Sequence, residues 1–142
     1  MAAQPISMPT ELPAEIKAVI DNLVGGFNNK DSALYNSAFG EDAVVIDGIA
    51  PYRWTGSNAQ ARWLSDAVKW LHDFGVENEN LVCDKILHAA VVGTYAYVVI
   101  SATLHLKLKS GQSGSRPGIL ILTLAKKGDD WKIGAQAWGR LS

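Results

Sequence analysis

The group in this chain best placed to do chemistry is one carboxylate. Asp47 follows Val44, Val45 and Ile46, three β-branched residues that read as a short buried strand. A carboxylate at the end of such a strand sits at the rim of a dry cavity. Loss of water disfavours its charged form, raises its pKa and makes it a stronger base toward a C–H bond or a water. The plainer role is local, with the Asp47 side chain capping the turn opened by Gly48 through an Asx hydrogen bond.

His88 and Tyr97 form a second candidate pair. If Val92 and Gly93 make a two-residue hairpin turn, His88 lies opposite Tyr97, with Tyr95, Ser101 and Thr103 on the same face. The other face is then Ala96, Val98, Ile100, Ala102 and Leu104. Lining a pocket, His88 and Tyr97 would act as acid–base groups or hydrogen-bond donors. Facing outward, they would belong to a surface through which two copies pair, and the apolar face would meet the helices. The chain also holds five tryptophans against four tyrosines and three phenylalanines. They either fill the core, or Trp54 and Trp63 wall a pocket for an apolar or ring-shaped ligand. Trp131 and Trp138 are seven apart on a strand, which sends them to opposite faces. The three histidines and the single Cys83 show no sequence-local ligand spacing, so neither a metal site nor a cofactor is expected.

The elements that must position these groups are legible in the periodicities. Ile16, Val19, Ile20, Leu23, Val24 and Phe27 recur at helical spacing, with Pro13 in the first turn. Asp31 is placed to cap a short second helix over 32–39. A strand over 43–47, a turn over 48–51 and a short strand over 52–54 follow. Ser57 and Gln60 have capping-box spacing before a third helix that carries Trp63, Ala67, Trp70 and Leu71 and stops at Gly75. Beyond it the period changes to two, giving strands over 81–91, 94–108, 118–126 and 131–139, with a flexible loop over 110–115. Residues 1–12 read as a loose arm, and 13–142 as one domain of α+β class with helices gathered on one face of an antiparallel sheet.

Composition narrows the partners. Thirteen basic against fourteen acidic residues give a net charge of -1, and no Lys/Arg cluster offers the basic face that nucleic acid requires. No apolar run approaches membrane-spanning length. The first residues lack the basic and apolar regions of a secretory signal, so a cytoplasmic location is expected, and one thiol fits that compartment.

Three local patterns give the chain a family resemblance. They are Phe27-Asn28-Asn29-Lys30-Asp31 followed by Phe39-Gly40-Glu41-Asp42-Ala43, then Trp54-Thr55-Gly56-Ser57, and last Gly128-Asp129-Asp130-Trp131-Lys132-Ile133. In this order the sequence resembles the nuclear-transport-factor-2-like (NTF2-like) superfamily, the cystatin-like cone that includes ketosteroid isomerase and the SnoaL-like polyketide cyclases. The resemblance implies three helices packed on a curved antiparallel sheet, Asp47 at the position of the isomerase's general base, Trp63 as a pocket aromatic, and pairing of two copies through the sheet. It also exposes departures. The isomerase's oxyanion tyrosine falls at Leu23, and the strand over 119–124 has no acid where the isomerase has a protonated aspartate. Steroid isomerisation is therefore not expected, since such donors carry much of that catalysis. Three readings follow. The first is a small-molecule-binding protein with isomerase, cyclase or hydrolase activity through Asp47. The second is a non-catalytic carrier or sensor. The third is a dimeric interaction module with a filled core.

Overall fold

The computed structural model describes residues 12–142. The expected arm lies outside the described residues except for Leu12, which packs against the core. Three helices, α1 (Ala14–Asn28), α2 (Ser32–Ser37) and α3 (Ala59–Asp73), accompany six strands. The strands are β1 (Phe39–Ile46), β2 (Arg53–Trp54), β3 (Val76–Val92), β4 (Tyr95–Leu108), β5 (Ser113–Lys127) and β6 (Asp130–Arg140). They form one sheet in the order β2-β1-β6-β5-β4-β3.

The sheet is mixed rather than antiparallel, because β1 pairs parallel with β6. Helix α3 carries the chain from the β1–β2 edge to the far edge. Four meandering strands then return, and the last of them runs alongside β1 in the same direction. Strand β3 also starts earlier than its apolar alternation suggests. Glu77, Asn78 and Asn80 are exposed, while Glu79 turns inward and its carboxylate accepts from Lys30 Nζ at 2.8 Å. Three irregularities interrupt the β3–β4 ladder, and such bulges bend a strand pair.

Local chemistry sets the helix ends. Asp31 caps α2 as expected, its Oδ1 accepting from Leu34 N at 3.1 Å. The capping box at Ser57 and Gln60 does not form. Asn58 precedes α3 in the left-handed region, φ 56°, and makes no side-chain cap. Arg62 instead ties the incoming loop by donating to the Thr55 and Ser57 carbonyls. Asn28, at the end of α1, imitates a strand partner. Its Nδ2 donates to Leu81 O at 2.9 Å and its Oδ1 accepts from Leu81 N at 2.7 Å, fastening α1 to β3.

The core lies between the helices and one face of the sheet. Ile16, Ile20 and Leu23 of α1 meet Val98 and Ile100 of β4, Leu120 and Leu122 of β5, and Ile133 of β6. Trp131 and Trp138 both face inward, not to opposite sides. Thr123 pairs with Ala135 while Leu124 pairs with Ile133, so Gly134 is an extra residue that reverses the parity between the two indoles.

Candidate functional site

A cavity of about 450 Å³ opens between α1, α3 and the inner face of the sheet. Leu23 and Tyr35 lie at its floor, both almost fully buried. Trp63 and Leu71 of α3, Leu104, Leu106 and Leu108 of β4, Leu120 of β5 and Trp138 of β6 supply its walls. Trp70 and Phe74, with ring centroids 4.4 Å apart, stand at its edge, and Phe74 is 68% exposed there. Charged and polar groups are few: Asp47, Gln136, Arg116, Arg140 and Ser142.

Asp47 and Trp63 meet in this cavity. Strand β1 ends at Ile46, and the Asp47 backbone N–H is fixed by Tyr52 O at 3.1 Å. Its carboxylate Oδ2 accepts from Trp63 Nε1 at 2.8 Å, and Oδ1 accepts from Gly48 N at 2.6 Å. The side chain thus bonds the turn and also faces an apolar chamber. Burial pushes the Asp47 carboxyl above its ordinary value of 3.8, while the two hydrogen bonds and the nearby Arg140 charge pull it back. The indole of Trp63 packs between Phe27 and Tyr35, at centroid distances of 6.3 and 6.0 Å.

Because the folded-state pKa of Asp47 is raised, its contribution to stability is greatest below the ordinary carboxylate range and declines as pH rises through the folded value. Asp47→Asn removes that dependence. The variant's melting temperature, measured relative to wild type, is therefore expected to climb between pH 3 and pH 7. A difference that stays constant with pH would contradict the raised pKa.

The other expected site residues lie elsewhere. Trp54 is 3% exposed, outside the lining of this cavity, with its Nε1 donating to Asp66 Oδ2 at 2.8 Å. His88 and Tyr97 are on the outer face of the sheet. The hairpin turn falls at Gly93 and Thr94, one residue later than expected, so Val92 faces Tyr95 and Ala90 faces Tyr97. A bulge at Leu87 then sets His88 opposite Val99, and the His88 and Tyr97 rings are diagonal neighbours with centroids 5.7 Å apart. His72 lies near the end of α3, 3.3 Å from Lys109 Nζ. Among the described residues, no group of three His, Cys, Asp or Glu side chains is placed to hold a metal.

Tyr35, Gln136, Arg116 and Arg140 are among the lining residues not foreseen as site residues. Tyr35 reads as an apolar helix position, yet its hydroxyl donates to Gln136 Oε1 at 3.0 Å inside the core. Burial, more than any neighbour, pushes this phenol well above its usual range. Gln136 faces inward because of the Gly134 bulge, which alternation alone does not reveal. Arg116 follows a Gly/Ser stretch that reads as loop but belongs to β5, and Arg140 follows the expected end of the last strand.

Comparison with known proteins agrees with this architecture. The SnoaL-like domain family matches residues 16–136. No curated protein matches the chain. Among solved structures, a hexachlorocyclohexane dehydrochlorinase LinA-type3 from Novosphingobium barchaimii LL02 is similar. It has a TM-score of 0.76 and 13% identity, over 91% of this chain and 86% of that one. An NTF2-like superfamily protein from Salmonella enterica serovar Typhimurium gives 0.72 and 15% identity, over 90% and 89%. A ketosteroid isomerase-like protein from Erwinia carotovora atroseptica gives 0.71 and 15%, over 91% and 95%. At these identities the structural likeness concerns the NTF2-like fold, and the sequence match carries the family: the chain belongs to the SnoaL-like domain family.

Proposed function

We propose that this protein binds a small apolar, ring-shaped molecule in the cavity beside Trp63, and that Asp47 acts on it as a general base. The proton would come from a C–H bond or from a water, giving isomerase, cyclase or hydrolase chemistry. One observation carries the reading: a half-buried carboxylate, held by Trp63 Nε1 at 2.8 Å, faces an apolar chamber of about 450 Å³. Such a chamber with few polar groups suits a small organic ligand. The dehydrochlorinase of similar fold is named for a ring compound, which fits the ligand class.

A carrier without turnover is the second reading. It draws on Leu23 and on the acid-free strand over 119–124, which leave the two donors of the isomerase without counterparts. The open chamber weighs against an interaction module with a filled core. The test uses a compound library screened for both binding and conversion. An enzyme converts a bound compound and loses conversion in Asp47→Asn; a carrier converts none, and Asp47→Asn keeps its ligands.

Pairing of two copies through the outer sheet face is part of the same proposal. Val99, Ile121 and Ala137 form a half-buried row across three strands there, beside Tyr97 and Ser101. Light scattering at micromolar concentration is expected to give twice the 15.3 kDa chain mass, and Ile121→Glu to give the single mass. A monomeric wild type would exclude this pairing. Among the described residues no helix is long and apolar enough to cross a membrane, and the lone thiol of Cys83 accords with a cytoplasmic setting.

A further inference from the structure

We propose that the ligand is an acid: an apolar ring occupies the cavity and its carboxylate is held by Arg116 and Arg140. The inference rests on the small-molecule reading above and adds the charge of the molecule.

Both arginines line the cavity from neighbouring strands. Arg140 pairs with Gly118, two residues from Arg116, so the two side chains are diagonal neighbours on the inner face. At such positions long side chains reach one another's ends. Arg116 pairs with Leu104, which also lines the chamber. The stem of Arg140 lies over the turn that carries Asp47, where a Cβ added at Gly48 would come within 2.7 Å of Arg140 Cδ. Glycine at 48 therefore leaves room for this side chain.

Neither guanidinium has a carboxylate within 4.0 Å among the described residues. Arg62, by contrast, is used up in bonds to backbone carbonyls. Two arginines at diagonal register positions, both exposed at the edge of an apolar chamber and with Asp47 as the nearby countercharge of Arg140, suit a planar anion that accepts in pairs. Among the charged side chains of the lining, Asp47 is the one acid beside the two arginines.

The test compares matched probes by calorimetry at low salt: benzoate against benzamide, and 2-naphthoate against 2-naphthamide. The acid of at least one pair is expected to bind about 10-fold more tightly, the size of one charge-assisted contact in partial solvent. Arg116→Gln and Arg140→Gln should each shrink that preference while leaving the amide's affinity unchanged, and added salt should weaken only the acid. Gly48→Ala, which keeps every charge but displaces the Arg140 stem, should shrink it too. Equal affinity for acid and amide, or a preference that survives both arginine substitutions, would overturn the assignment and leave the cavity reading standing. Binding of no probe in either pair would count against both.

Discussion

Asp47→Asn is expected to lower turnover of the protein's substrate by about 10²- to 10⁴-fold, the usual contribution of a positioned general base. Asparagine keeps the shape of the side chain and one acceptor oxygen, so the bond from Trp63 Nε1 or the bond from Gly48 N survives, but not both. The apolar walls are untouched, and ligand affinity should change far less than turnover. A kcat that falls while the binding constant holds is the pattern of a group used in the transition state. The pH profile gives an independent check. Burial raises the Asp47 pKa, so kcat/KM of the wild type should rise through an apparent pKa above 3.8, and the variant should lack that limb. Undiminished turnover in Asp47→Asn would remove this residue from the mechanism.

Gly26→Ala is expected to be strongly damaging to the fold for a single added methyl. A Cβ at Gly26 would sit 2.4 Å from Tyr35 N and 2.6 Å from Tyr35 Cα. These are backbone atoms of α2 and cannot move aside as a side chain would. The α1–α2 pair would have to part, straining the Asp31 N to Gly26 O bond of 2.9 Å and shifting Tyr35 away from Trp63 and Gln136. Overpacking of this kind costs about 3 kcal/mol, against which alanine returns about 1 kcal/mol of helix propensity. The melting temperature should fall by roughly 5–10 °C. Gly25→Ala is the control: its Cβ would meet only Leu34 Cδ2, at 3.8 Å, and it should be neutral or stabilising. Equal melting of the two variants would mean that close approach at Gly26 does not hold the helices together.

How far the sequence discloses the site depends on distance along the chain. Asp47 is legible because three adjacent β-branched residues announce its strand, and α1 is legible because six apolar residues share one face. Family resemblance and local pattern together also put Trp63 beside Asp47. Register is harder, since one residue decides which face a side chain takes. The turn at Gly93 and Thr94, together with bulges in β3, leaves His88 and Tyr97 on the outer face but no longer directly opposed. The Gly134 bulge turns Trp138 and Gln136 inward, against the alternation counted from Trp131. Arg116 and Arg140 come to one end of the cavity only through the pairing of β5 with β6, and nothing within either segment signals the other. The parallel β1–β6 pair is likewise a property of the whole chain path, not of any stretch of it.

The most direct measurement of the central claim is a crystal structure of the protein soaked with the tightest ring-bearing ligand from the screen. The account predicts density for the ring against Trp63 and Trp138, with a ligand atom within hydrogen-bond reach of the Asp47 carboxylate. A ligand seated outside this chamber, or a chamber closed by solid packing of Trp63, Trp138 and Leu106, would contradict it.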